Sequence, residues 1–373
     1  MKKFTLNLMR FFYKNGLRPA IFLFDPEKIH DITLKFGKIL GTLHFKNIWS
    51  PLFNTKNKIL EQEILGIKFA NPVGLAAGYD KNAELTQLLG SLGFGFEEVG
   101  SISNLPCSGN PKPRLWRLPK SRGIIVWNGL MNKGAKTLHE KLDKLKFDIP
   151  VGVSIVKTNS PEITELNEAV PDVISALKIF SNFGDYITLN ISCPNTAGDG
   201  LFYNPKNLKI LLSRISELKL KQPIFIKLPP DLNIKNVDEI IDLAREYKIS
   251  GFVLSNIVKR RDLMDADKDE LKMVDPGRGS MSGKPVEKLS NELISYVYKK
   301  TKGEFVIIGC GGVFSAKDAY KKIRAGASLI QLITGLIFEG PQLVAQINSG
   351  LVELLKKDGF SNISQAIGAD SRN

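Results

Sequence analysis

From about residue 59 onward, short apolar runs alternate with stretches whose apolar residues recur every three or four positions. The runs predict strands at Val73–Ala77, Phe96–Gly100, Val151–Val156, Tyr186–Asn190, Ile224–Leu228, Gly251–Ser255, Phe305–Ile308 and Leu329–Ile333. The stretches between them predict helices at Ala83–Leu92, Ala135–Leu145, Ser160–Phe180, Asn207–Lys219, Val237–Tyr247, Ser290–Lys300, Ala316–Ala325 and Pro341–Leu355. Eight strands alternating with eight helices is the count of an α/β (β/α)8 TIM barrel, whose chemistry sits at the C-terminal strand ends. A doubly wound sheet usually has fewer strands and an early G-x-G-x-x-G turn. Here Gly90-Ser-Leu-Gly-Phe-Gly95 lies between a helix and a strand, the reverse order. Two insertions, 101–127 and the charged 258–283, each follow a strand, which puts them on the catalytic face as candidate lids.

The pattern changes ahead of the barrel. Phe4, Leu8, Phe11 and Phe12 fall at helical spacing among Lys2, Lys3, Arg10 and Lys14, with Gly16 placed to end that helix. A second helix starts at Asp25 as N-cap, with Pro26 and Glu27 in its first turn. Ile29, Ile32, Phe36, Ile39, Leu40 and Leu43 keep to one of its faces. Charge sharpens the picture: residues 1–60 hold 11 Lys/Arg against 3 Asp/Glu, a surplus of 8 out of the chain's net +14. A basic patch suits nucleic acid or an anionic membrane. The Phe- and Leu-lined faces suit a peripheral membrane contact through residues 1–45, with no nucleic-acid role. A helical cap packed on the barrel's own core is the alternative. The longest uncharged run, Pro19 to Phe24, is far too short to span a bilayer. The expected organisation is an extension over 1–58, a barrel over 59–357 and a polar tail over 358–373.

Composition narrows the chemistry. Hydrophobic content of 43% with 24% charged residues is that of a globular protein. Cys107, Cys193 and Cys310 make no CxxC pair or disulfide framework, so a reducing compartment is expected. His30, His44 and His139 are the only histidines and none is expected near the polar strand ends, which speaks against a His-based triad or a His/Cys metal site.

The candidate chemistry centres on Tyr186-Ile-Thr-Leu-Asn-Ile-Ser-Cys-Pro-Asn195, a strand that runs into a turn carrying Asn190, Ser192, Cys193 and Asn195. A cysteine is more often a small buried apolar residue, but Cys193 sits on a polar turn. A thiol, with an ordinary pKa of about 8.5, serves as base or nucleophile after modest stabilisation. Gly309-Cys-Gly-Gly312 after the seventh strand and Thr334-Gly335 after the eighth form a candidate phosphate site, although barrel turns contain glycine for other reasons too. Lys81 and Lys227 stand at strand ends beside Asn190, Asn195, Ser255 and Asn256. Together they describe a basic, amide-lined cavity for a phosphorylated cofactor and a planar anionic or amide-bearing substrate.

Several stretches together resemble one family. Asn71-Pro-Val-Gly-Leu-Ala-Ala-Gly-Tyr-Asp-Lys81, Gly109-Asn-Pro-Lys-Pro-Arg-Leu115, Asn190-Ile-Ser-Cys-Pro-Asn195, Ile226-Lys-Leu-Pro-Pro-Asp231, Ser282-Gly283, Ile308-Gly-Cys-Gly-Gly312 and Ala325-Gly-Ala-Ser328 are similar to dihydroorotate dehydrogenase. Asp25-Pro-Glu-Lys-Ile-His30 resembles the membrane-associated, quinone-reducing class 2 form. The resemblance implies an FMN-containing barrel that oxidises dihydroorotate to orotate in pyrimidine biosynthesis. It implies FMN contacts at Ala77, Gly78, Lys81, Ser101, Ser154, Asn190, Lys227, Ser255, Gly283, Gly311, Gly312, Ile333, Thr334 and Gly335. Lys81, Asn190, Asn195 and Asn256 would hold the substrate, with Asn128 a further candidate. Cys193 would take the C5 proton while the C6 hydride passes to the flavin, with Lys227 near the flavin's pyrimidine end. The basic helices would form the quinone entrance, on the cytoplasmic face of a membrane; a soluble cytoplasmic protein is the runner-up.

The chain departs from the family pattern at five positions. Cysteine belongs to the soluble class 1 enzymes, and class 2 forms usually carry serine where Cys193 stands. Val126 replaces a substrate-binding amide, Leu130 an aromatic, Ser154 a flavin-contacting asparagine and Ile257 a threonine. These departures motivate two alternatives: a related FMN oxidoreductase acting on a less polar substrate, and a non-catalytic flavin-binding relative.

Overall fold

All eight predicted strands form, and they close on one another as a parallel barrel. The computed structural model of the chain describes residues 2–42, 45–198, 200–275 and 277–372. The barrel strands are β1 (Val73–Leu75), β2 (Phe96–Ile102), β3 (Val151–Ile155), β4 (Tyr186–Asn190), β5 (Ile224–Leu228), β6 (Gly251–Leu254), β7 (Val306–Cys310) and β8 (Leu329–Leu332). Neighbours follow chain order, and β8 pairs with β1 to complete the ring. Alternation explains why the strands read as unbroken apolar runs: both of their faces are buried. Val99, Val153, Leu189, Ile226, Phe252 and Ile330 point outward into the shell of helices. Phe96, Tyr186, Phe225, Val253, Ile308 and Leu329 point inward and pack as an apolar floor across the lower barrel. The hairpin Gln62–Ile64/Ile67–Phe69 closes that end, adding Phe69 to the floor.

Helix boundaries shift where side chains compete for the backbone. The helix predicted from Ala83 begins only at Thr86. The Asp80 carboxylate accepts the N–H groups of Glu84 (2.7 Å) and Leu85 (2.5 Å), so the preceding residues form a turn around it. The helix predicted from Ser160 begins at Leu166, because Pro161 and the Lys157 ammonium, which donates to the Ile163 carbonyl, shape an irregular loop. Beyond Lys357 the tail folds back: Ile363 and Ala366 are buried, and Arg324 pairs with Asp358 and Asp370.

The two insertions predicted as lids meet in one structure. Leu115–Leu118 and Gly123–Val126 form a hairpin from the first, and Ser280–Gly283 from the second adds to it. The result is a three-stranded antiparallel sheet attached to the loops after β2 and β6.

Ahead of the barrel, Gly16 does not end the first helix. Lys2–Phe12 continues through a wider turn at Tyr13–Leu17 into Arg18–Phe22. The second helix, Pro26–Thr42, starts as predicted, with the Asp25 carboxylate accepting the Lys28 N–H at 2.8 Å. A third helix, Phe45–Phe53, was not signalled by the pattern and contains Pro51. The predicted apolar position Leu43 and the histidine His44 lie outside the described residues. The apolar positions Phe4, Leu8, Phe11, Phe12, Ile32, Phe36 and Ile39 are exposed, while Ile29 and Leu40 are half-buried, Leu6 packs with Phe53 and Ala345, and Leu34 packs on the main core; each helix thus buries part of its apolar surface and leaves the rest uncovered. Among the described residues, no helix is long and apolar enough to cross a membrane.

What fixes the second helix is a buried ion pair. Arg114 donates to Glu27 Oε1 through Nε (3.0 Å) and Nη2 (2.6 Å), and a further nitrogen, Nη1, holds the carbonyls of Ser108 and Asn110. Arg114→Leu leaves Glu27 with only the exposed Lys112 ammonium, 3.4 Å from the same oxygen, so it is expected to cost about 2–3 kcal/mol in a denaturant titration. Combining it with Glu27→Leu should recover most of that loss.

Candidate active site

Above the apolar floor the barrel interior turns polar, and Glu98 on β2 is its hub. The carboxylate is fully buried and accepts from Thr188 Oγ1 (2.9 Å), Gln331 Nε2 (2.9 Å) and, more distantly, the Tyr186 hydroxyl (3.4 Å). Lys227 on β5 pairs with it at 3.8 Å. Sequence reasoning missed Glu98. The available signal was two consecutive acids, Glu97 and Glu98, inside an otherwise apolar barrel strand, where alternation must turn one of them inward.

One layer higher lie the strand ends. Asn190 and Lys227 are register partners on β4 and β5. Asn190 Nδ2 donates to Ser101 Oγ (2.7 Å), whose hydroxyl is 2.8 Å from that of Ser154. Asn256 Nδ2 donates to Ser192 Oγ (2.8 Å), to the Ser192 carbonyl (3.1 Å) and to Asn190 Oδ1 (3.1 Å). Asn190, Ser101, Ser154 and Asn256 thus form one connected network, which ties the C-terminal ends of β2, β3 and β4 to the loops after β4 and β6.

The half-buried Cys193 lies on the rim of this network. Its carbonyl accepts from Thr196 Oγ1 at 3.3 Å, and it lines a recess with Asn190, Lys157, Thr196 and Phe202. Asn195 ties the same turn to the lid sheet: its Nδ2 donates to the Val126 carbonyl (2.8 Å) and its Oδ1 accepts from Ser280 (3.2 Å). Asn110, not singled out from the sequence, donates to the Asn195 carbonyl at 3.1 Å. Asn128 enters differently from expectation, through its backbone oxygen, which accepts the Asn110 N–H at 3.1 Å.

Two further groups of predicted residues converge. Gly78, at φ +110, has only the Ile333 side chain near where a Cβ would point. Beside Ile333, Thr334 is 2.8 Å from the Ser282 hydroxyl, and a Cβ on Gly283, at φ +98, would strike the Thr334 methyl and the Arg122 carbonyl. Gly311 and Gly312, both at positive φ, lie against Ser290 and Glu287 of the helix Glu287–Thr301. Gly335 is required by close packing, since a Cβ there would overlap the Val313 carbonyl. Ala77 is half-buried on the same loop as Gly78.

Lys81, on the loop after β1, is nearly buried. Desolvation brings its ammonium down to about 8, with Arg114 acting in the same direction and Asp80, Glu27 and Asp31 opposing. His30 corrects the expectation that no histidine approaches the strand ends. Its ring packs edge-on against Tyr79 at 4.9 Å, and burial together with the Lys81 charge lowers its imidazole to about 3. The second helix folds back over the barrel, so distance along the chain misled.

Residues 59–355 match the family model of dihydroorotate dehydrogenase. The chain belongs to that family. Relatives named dihydroorotate dehydrogenase (quinone) match nearly end to end. The protein of Trichodesmium erythraeum is 38% identical over 95% of this chain and 98% of its own. That of Christiangramia forsetii is 39% identical over 91% and 99%. The crystal structure of the Eimeria tenella enzyme with ferulenol superposes with a TM-score of 0.83 at 30% identity, covering 94% of this chain and 96% of that one. Dihydroorotate dehydrogenases are flavin-dependent, and the site suits a flavin on its own terms. The Ser255 hydroxyl is buried with no hydrogen-bond partner among the described residues, and the space beside Gly78 would be narrowed by any side chain.

Proposed function

We propose that this chain oxidises dihydroorotate to orotate, with FMN as cofactor and a quinone as electron acceptor. The observation that carries the reading is one half-buried thiol, Cys193, on a rim built from Asn190, Asn256 and Lys227 in a chain that matches the quinone-dependent enzymes almost end to end. FMN would be held by Ala77, Gly78, Lys81, Ser101, Ser154, Asn190, Lys227, Ser255 and Gly283, with its phosphate at the backbone of Gly311, Gly312, Ile333, Thr334 and Gly335. Bound there, it supplies the acceptor for a hydride and passes electrons onward. The protein's own part is to bind the substrate carboxylate and amides and to take one proton. Lys81 supplies a positive charge, and Asn190 and Asn256 present amides already fixed by Ser101 and Ser192. Asn195 serves by holding the Cys193 turn to the lid, and Asn128 follows the lid hairpin two residues beyond Val126. Cys193 removes the C5 proton.

The apolar residues exposed on the first two helices, set among Lys and Arg, fit docking to an anionic lipid surface, where a quinone would be dissolved. This favours the membrane reading of residues 1–45 over a cap on the core.

Anaerobic addition of dihydroorotate to the FMN-loaded protein tests the proposal: the yellow flavin absorbance should bleach, and added quinone should restore it. A protein that keeps its flavin and stays yellow from neutral to alkaline pH would refute it.

The Lys81 charge sets a pH dependence. Its native value lies below the ordinary 10.5, so the unfolded chain binds more protons between about 8 and 10.5. The Lys81 contribution to stability therefore rises through that window. Anion binding moves the other way. Orotate affinity, followed by flavin difference spectra, should fall above pH 8 with a slope approaching about tenfold per unit, and Lys81→Met should flatten that slope.

A further inference from the structure

The carboxylate of Glu339 takes no part in the sites described above, yet the N-terminal segment is built around it. Glu339 ends the six-residue helix Thr334–Glu339, and its side chain has no exposed surface. An acid at the negative end of a helix dipole is wrongly signed, and here three cations reverse the balance. Arg10 donates to Oε2 through Nε (2.8 Å) and Nη2 (2.5 Å), and Lys14 lies 3.5 Å from the same oxygen. Arg122 of the lid hairpin's turn donates to Oε1 at 2.6 Å. Two neighbouring carbonyls are also gripped: the Tyr13 hydroxyl donates to Ile337 O at 2.6 Å and Arg18 to Phe338 O at 3.1 Å.

Arg10, Tyr13, Lys14 and Arg18 recur at three- and four-residue spacing, so they share one face of the segment from Lys2 to Phe22. Phe4, Leu8, Phe11 and Phe12 on the same segment are exposed. Detaching the segment would break the Arg10 and Lys14 pairs and leave the carboxylate at the negative end of its helix with Arg122 alone. That outcome is strongly disfavoured. The segment is therefore held to the short helix whose first residue, Thr334, meets Ser282 and Gly283.

We propose that Glu339 is a positioning residue for the acceptor half of the reaction. It fixes the N-terminal segment against the barrel mouth, and the acceptor enters beside a segment that stays docked. The proposal rests on the reading of a quinone as acceptor.

The test uses holoenzyme variants Glu339→Gln, Glu339→Asp and the surface pair Arg10→Gln/Lys14→Gln. Flavin is reduced with dithionite and then reoxidised by decylubiquinone, so the acceptor half is measured whether or not dihydroorotate is the donor. The quinone concentration giving half-maximal reoxidation should rise about tenfold in Glu339→Gln and in the surface pair, and return towards wild type in Glu339→Asp, while bleaching by dihydroorotate changes less than about twofold. The surface pair keeps the carboxylate and so serves if Glu339→Gln does not fold. A surface pair with wild-type quinone dependence, or an equal slowing of both halves, overturns the proposal. Wild-type protein that quinone reoxidises but dihydroorotate does not bleach refutes the donor assignment alone.

Discussion

Cys193→Ala is expected to give a protein that holds its flavin but is bleached by dihydroorotate about 10²–10⁴ times more slowly, the usual contribution of a positioned general base. The loop that carries the thiol is fastened by other groups. Asn195 bonds to the Val126 carbonyl, Asn256 to Ser192, and Thr196 to the Cys193 carbonyl. Removing the sulfur leaves every one of these bonds in place, so the loss should appear in the rate of flavin reduction with little change in melting temperature. Cys193→Ser separates acidity from geometry. A hydroxyl is a far weaker acid than a thiol, so the serine form should retain part of the rate and reach it only at higher pH. Stopped-flow absorbance under anaerobic conditions reads all three proteins. An alanine variant reduced at the wild-type rate would remove Cys193 from the mechanism.

The second large effect belongs to Lys227. Its ammonium and the Glu98 carboxylate are both buried, and they face each other across the barrel at 3.8 Å. Lys227→Met leaves an acid in a polar layer that supplies only hydroxyl and amide donors, from Thr188, Gln331 and Tyr186. The cost should be about 3–5 kcal/mol, as for other broken buried pairs. Adding Glu98→Gln should restore much of the stability without restoring flavin reduction, because the charge beside Asn190 is still missing. Thermal melts together with retained flavin distinguish the two contributions. Equal activity in the double variant and the wild type would count against any chemical role for Lys227.

Those two predictions draw on unequal parts of the sequence. Lys227 stood out because it breaks an apolar strand pattern, and Cys193 because it sits on a polar turn just past a strand; the structure places both at the C-terminal end of the barrel. The eight strands were legible because their apolar runs are short, rich in Val, Ile and Phe, and set between longer stretches of helical period. Glu98 was only half legible: alternation requires one of the two adjacent acids to turn inward, but not that it meets Lys227 from the other side of the barrel. The Asp25 cap was readable from local hydrogen bonding, and the Lys28 N–H confirms it. Gly16 was misread for the opposite reason. A helical glycine costs about 1 kcal/mol, and contacts from Tyr13 and Arg18 to a helix more than three hundred residues away outweigh it. His30 and the lid sheet were hidden because both depend on long-range return of the chain.

The sheet joining Gly123–Val126 to Ser280–Gly283 has a consequence for timing. Its strands are about 150 residues apart, and contacts that distant form only after intervening structure has paid the entropy of closing so long a loop. The barrel can assemble, and a ligand can enter its mouth, before the sheet is complete. Once formed, the sheet is tied to the barrel's upper end where Ser280 meets Asn195 and Ser282 meets Thr334. Opening that face means breaking strand pairs in a sheet rather than swinging a single loop.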